Sequence, residues 1–306
     1  MKRKVIQVSE KTLVVSLPSE WIKSQSIVKG AELECTTQDQ KLIFTPNLNR
    51  TTTLSSTIDA KNLTERVLRW QVSSLHKQGF DEIIVNNYTD EHYEIIEDLV
   101  KNLFVGFIIK EQSSLRIKIG SVALVDAAEF DSTLRRAFRL INNVFTDLYD
   151  AFKNEDKKLL TKQIEHEHIN NQLTNFCECL LNKTLKQKDK GHFWYVIAWN
   201  LEKIIDNPKY IANYYENKSL KMSEETIDLL KEVKNHATEW YDLFYNFSFK
   251  KITELSKIKK ELEKKCLELI IKSPDNDKVL IHYMHMIVLQ LADFSASTIA
   301  IKTEVK

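Results

Sequence analysis

Glu202 and Asp206 stand four residues apart in the run Asn200-Leu201-Glu202-Lys203-Ile204-Ile205-Asp206, whose apolar spacing is helical. Four residues is about one helical turn, so both carboxylates share one face. Two like charges at that spacing repel unless a cation or a base neutralises them. A second set of candidate ligands, Glu165-His166-Glu167-His168, lies in the preceding long helical segment. There Glu165 and His168 are i, i+3 neighbours that could hold one ion between them. Carboxylate with imidazole suits Fe, Mn, Zn or Ni better than Mg or Ca. Asp293 holds a comparable place late in the chain, with Leu289 where a glutamate would complete the pair. Lys2, Arg3, Lys4 and Lys11 could do a different chemistry. Residues 1 to 30 carry six Lys and Arg against Glu10 and Glu20 alone. Clustered positive charge of this kind attracts a phosphate backbone without reading its sequence.

Other chemistries find no support. With 5 glycines in 306 residues, a backbone phosphate cradle has little to be built from. There is no nucleophile elbow and no cysteine beside a plausible catalytic partner, so no enzymatic activity is expected. A di-iron oxidase would need two Glu-x-x-His motifs and two further glutamates, and Glu165-x-x-His168 is the sole such motif. Cys177 and Cys179 are two apart on a predicted helix and face different ways; with Cys35 and Cys266 they read as reduced, mostly buried thiols. The net charge is +1, so any nucleic-acid site is local. No run reaches 18 uninterrupted apolar residues, and Met1-Lys2-Arg3-Lys4 is not followed by a signal-peptide core. A cytoplasmic protein without membrane insertion is expected.

The elements that must position these residues fall into three stretches. Residues 1–46 read as β: strands over 5–8 and 13–17, a short helix opened by Pro18, and a second hairpin over 32–36 and 41–44. Residues 47–120 read as a small α/β region. Strands are expected over 51–54, 82–85, 107–109 and 115–119. Helices are expected over 62–77, with Leu63, Val67, Trp70 and Leu75 near one face, and over 92–103. Residues 121–306 read as two helical triplets, over 130–152, 156–181 and 192–215, then 224–247, 249–271 and 276–301. Breaks fall at 154–156, 186–190, 217–219 and 273–275, with Asp156 and Asp275 placed as N-caps. Asp206 and Asp293 recur in the third helix of each triplet, which suggests a duplicated three-helix bundle. The aromatics Phe193, Trp194, Tyr195, Trp199, Tyr210, Tyr214 and Trp240 are expected to pack.

Two of these segments carry a resemblance. Val5-Ile6-Gln7 followed by Thr12-Leu13-Val14-Val15-Ser16-Leu17-Pro18-Ser19-Glu20-Trp21 resembles the swapped-hairpin, AbrB/SpoVT-type DNA-binding module. Here Ser9-Glu10-Lys11 stands where that family often has Gly-Gly-Ser. The run from Asn200 to Asp206 resembles the Glu-Arg-Ile-Gly-Asp helix signature of PhoU, with Lys203 for Arg and Ile205 for Gly. In this order the two resemble the archaeal AbrB–PhoU fusion regulators of phosphate uptake. The resemblance implies an α+β multidomain chain: a swapped-hairpin domain, a central α/β region and a PhoU-like pair of three-helix bundles. It implies a homodimer that binds promoter DNA through Lys2, Arg3, Lys4 and Lys11. It also implies a transition metal at Glu202 and Asp206, with Glu165, His168 and Asp293 as further candidates. An alternative is an adaptor that contacts a phosphate transporter ATPase or a sensor kinase, its N-terminal domain serving only to dimerise. Dimerisation also has a physical warrant, because four strands of this length bury little on their own.

Overall fold

The computed structural model describes residues 2–38, 41–46, 53–122, 126–183, 185 and 190–303. The chain forms two compact units, Met1–Thr52 and Thr53–Lys306. The first contains two separate antiparallel hairpins. Strands β1 (Val5–Ser9) and β2 (Thr12–Val15) turn through Glu10 and Lys11, and β3 (Leu33–Gln38) pairs with β4 (Lys41–Pro46). Between the hairpins lies α1 (Ser19–Ser24), where Pro18 supplies the N-cap position and its carbonyl accepts from the Ile22 amide at 2.9 Å. No side chain with a described environment in this unit is buried.

The second unit opens with a four-stranded mixed sheet. Strands β5 (Ser55–Asp59) and β6 (Glu82–Asn86) are parallel and are joined through α2 (Glu65–Lys77). Helix α3 (Asp90–Asn102) leads to the hairpin β7 (Phe107–Ser113) and β8 (Arg116–Ser121), and the sheet order is β5-β6-β8-β7. The first strand lies just beyond the stretch expected for it, of which Thr51 and Thr52 lie outside the described residues. Alternate residues Ile83 and Val85, and Ile117 and Ile119, turn to one face and are fully buried with Leu68, Val72, Ile96 and Leu99. This corrects the face assigned to α2. Leu68, Val72 and His76 point inward at i, i+4, i+8, whereas Val67 and Trp70 are exposed.

Helices α4 (Glu129–Lys153), α5 (Lys157–Lys183) and α6 (Gly191–Tyr215) form one consecutive triplet. Helices α7 (Glu224–Tyr245), α8 (Phe249–Lys272) and α9 (Asp275–Ala292) form the next, and α10 (Phe294–Lys302) follows a break at Asp293. One continuous core runs through both triplets, with α4 packed on α5, α6 and α7, and α6 on α9 and α10. Asp156 caps α5 as expected, accepting from the Lys158 and Leu159 amides at 2.9 and 3.0 Å. Asp275 instead occupies the first helical position of α9, after Pro274, and pairs with Lys278. Of the expected break over 186–190, residues 186–189 lie outside the described residues. The stretch Asp275–Lys302 is long and apolar enough to cross a membrane by length and composition. Its Leu280, Ile281, Met284, Ile287, Val288 and Leu291 line the shared core.

Gly79 sets how closely α2 approaches α5. It follows α2 with φ +86°, in a Schellman arrangement: its amide donates to the His76 carbonyl, and the Phe80 amide to that of Leu75. A Cβ at Gly79 would sit 2.7 Å from the Lys183 Cβ at the end of α5. Both the left-handed backbone and the close approach exclude a side chain. Gly79→Ala is expected to destabilise the protein by about 2 kcal/mol or more, read from urea unfolding. An unchanged midpoint would show that the two helices do not need this approach.

Candidate functional site

Where α2, α5 and α6 meet, three lysines and four carboxylates form one unbroken chain. Lys77, the last residue of α2, lies 2.8 Å from Glu178 on α5 and 3.1 Å from Glu202 on α6. Lys203 bridges Glu202 and Asp206 at 3.2 and 3.4 Å. Lys209 bridges Asp206 and Glu167 at 2.8 and 2.7 Å. The order is thus Glu178, Lys77, Glu202, Lys203, Asp206, Lys209, Glu167. Glu202 and Asp206 do share one helix face, as their spacing requires, and each has two ammonium neighbours.

The geometry follows from local sequence. The inward face of α5 is a polar stripe, Gln163, Glu167, Asn170, Thr174 and Glu178, all buried. Their spacing of four, three, four and four is that of one helix face. Asn170 Nδ2 donates to the Leu201 carbonyl of α6 at 3.1 Å, tying the two helices. On α6, Pro208 has no amide to give to the Ile204 carbonyl. The neighbouring Asn207 side chain supplies a donor at 3.1 Å and also reaches Gln290 of α9 at 2.6 Å. The helix therefore continues past the proline and carries Lys209 beside Asp206.

Burial and charge compete at each member. Burial alone would lower the pKa of Lys77, but Glu178 and Glu202 outweigh it and hold it above the ordinary range. Lys203 and Lys209 are raised in the same way, burial again opposed by their paired carboxylates. Glu178 behaves differently. Its side chain is fully buried, and Lys77 is close but poorly directed, since neither carboxylate oxygen accepts a well-aligned hydrogen bond. Burial raises its pKa to about 7 against the opposing pull of Lys77, and nearby Glu202 raises it further. Four carboxylates face three ammonium groups, and burial favours a proton on Glu178. His76, next to Lys77 in the chain, is also buried and stacks 4.1 Å from the Phe104 ring. Burial lowers its pKa to about 3, so it stays neutral.

The other sequence candidates lie elsewhere. Glu165 and His168 are exposed on α5. Glu167, between them, is the residue that turns inward, because it and not they falls on the 163–167–170–174–178 stripe. Asp293 is exposed at the α9–α10 junction. Among the described residues, no group of three or more His, Cys, Asp or Glu side chains is arranged to hold a metal ion. Around Glu202 and Asp206 the charged neighbours are the ammonium groups of Lys77, Lys203 and Lys209. Lys77, Glu178 and Lys209 escape sequence reasoning. The polar stripe of α5 is a usable signal for Glu178, and the i, i+3 spacing from Asp206 for Lys209. Nothing local marks Lys77.

The N-terminal unit offers a second candidate surface. Lys2, Arg3, Lys4 and Lys11 are all exposed, the last in the β1–β2 turn, and none has an acidic partner among the described residues. Val5, Ile6, Val8 and Leu13 of the same hairpin are more than half exposed. Cys35 is exposed, whereas Cys177, Cys179 and Cys266 are buried thiols, as expected.

Comparisons with known protein families, with curated proteins and with solved structures find no match for this chain.

The raised pKa of Glu178 makes stability depend on pH. Its folded-state value of about 7 lies above the ordinary 4.5. Its contribution is complete below about pH 4.5 and is lost as pH rises through about 7. The groups that face it are Lys77 on α2 and Glu202, Lys203 and Tyr195 on α6. Glu178→Gln is expected to flatten this slope and to stabilise the protein at pH 8 by about 1–3 kcal/mol. Urea midpoints at pH 5 and pH 8 measure it. An unaltered slope in the variant would assign the pH dependence to another group.

Proposed function

We propose that the chain is a cytoplasmic, homodimeric DNA-binding regulator of phosphate uptake, with the helical region as a PhoU-like sensing half and no catalytic step of its own. The observation that carries this reading is the state of the N-terminal unit. It combines a basic cluster without acidic partners among the described residues and two hairpins whose apolar side chains lack a core. An isolated two-stranded hairpin is marginal in water. Interleaving with a second copy would bury Val5, Ile6, Val8, Leu13, Val14 and Val15, each stabilising by roughly 1.5–3 kcal/mol on full burial. The same pairing would set two basic clusters about a two-fold axis. Phosphate as the regulated quantity rests on the AbrB–PhoU resemblance alone. The transition metal of that resemblance has no part in this reading, because lysines neutralise the acidic face.

An adaptor role is the second reading, and one observation favours it. Trp70 on α2 and Trp199 on α6 are exposed at 59% and 45%, as are Val67 and Val196 on the same helices. Exposed tryptophans of this kind suit a protein contact.

Binding to DNA from the chain's own upstream region, and from phosphate-transporter promoters, separates the readings. The full chain is expected to bind with an affinity that falls steeply with salt. The Lys2→Glu/Arg3→Glu/Lys4→Glu variant is expected to bind far more weakly, its log–log salt slope reduced by about 0.9 for each phosphate no longer neutralised. Equal and feeble binding by both proteins would remove the DNA reading and leave the adaptor. Sedimentation at micromolar concentration checks the dimer, and a monomer would leave the exposed hairpins unexplained.

A further inference from the structure

We propose that Lys77, Lys203 and Lys209 are the resident counter-cations of the acidic face shared by α5 and α6, so that this face closes without a metal ion, and that Lys77 thereby latches the α/β layer onto the helices. Three observations carry the inference. Each lysine sits between two carboxylates and within 3.4 Å of both. The carboxylates are at most 17% exposed, so water solvates them less than it would on an open surface. Lys77 comes from a different layer than its two partners, and Gly79 makes the close approach possible by having no side chain against Lys183.

The physical logic is that of an internal salt. Opposite unit charges at contact distance attract more strongly in a half-buried site than in water, and desolvation of both ions offsets much of that. Removing one partner costs far more than the pair contributes, since it strands a charge in a dry place. An ammonium on a four-carbon stem is a compact point charge that can sit where a small cation would. Here it is tethered, so its occupancy depends on the fold and not on the concentration of a metal. The second tie between these layers points the same way: Asn182 Nδ2 on α5 donates to the Lys77 carbonyl at 2.8 Å, which fixes the backbone from which the ammonium extends.

The test is a metal titration of the full chain beside lysine variants. The wild-type chain, purified without chelator, is expected to carry no stoichiometric metal. Its Tm should stay constant on addition of Mn²⁺, Zn²⁺ or Ni²⁺. Lys77→Met should lower Tm by about 5–10 °C and speed amide exchange in α2. Added divalent metal should restore part of that decrease, because Glu202 has then lost one of its two cations and Glu178 beside it can give up its proton to a metal. Lys77→Arg should need no metal. Lys203→Gln, on the more exposed lysine, provides a folded variant if Lys77→Met does not fold, and it should gain metal affinity by about tenfold or more. Stoichiometric metal in the wild-type chain with a raised Tm would overturn the proposal. So would lysine variants whose stability and metal affinity match those of wild type.

Discussion

A carboxylate removed from water must meet a cation or take up a proton, and four carboxylates are gathered where α2, α5 and α6 converge. The contact of α2, α5 and α6 is arranged around meeting that condition. Lys203 and Lys209 come from the helix that carries Glu202 and Asp206. Lys77 comes from across the layer boundary. Asn207 supplies a donor where Pro208 has none, and α6 continues so that Lys209 lands beside Asp206. Gly79 lets α2 come near enough for Lys77 to reach Glu178. The surplus negative charge falls at Glu178, the most deeply buried member, where taking up a proton removes it.

The first unit poses the opposite problem. It has no buried side chain among those described, and its strands present apolar residues on both faces. Two hairpins and a six-residue helix cannot offset the ordering entropy of their backbone without more buried surface. A basic cluster beside such strands suits a unit completed by another chain and facing a polyanion.

Much of the fold is legible in the sequence because the helices of the second unit are long and strongly periodic. The six long helices lie within a few residues of where apolar spacing places them, except that α9 breaks at Asp293. The mixed sheet is legible as strands and helices in alternation, though its order is not. Helix α2 is the exception among the helices: Val67 and Trp70 are core-like in type, yet the spacing of Leu68, Val72 and His76 sets the inward face and leaves them exposed. The candidate site is half legible. Glu202 and Asp206 are marked by their i, i+4 spacing and do form the centre of a charged network. Glu165 and His168 have ligand chemistry, but the inward position belongs to Glu167.

The sequence by itself determined where the long helices lie, apart from the break at Asp293, and that Glu202 and Asp206 share a face, because these depend on interactions within a few residues. Only the tertiary structure decided what neutralises them. Lys77 is more than a hundred residues from both of its partners, and its ammonium reaches them because α2 packs on α5. Local sequence carries no trace of such a contact, since a lysine at a helix C-terminus is favoured by the helix dipole whatever lies opposite it.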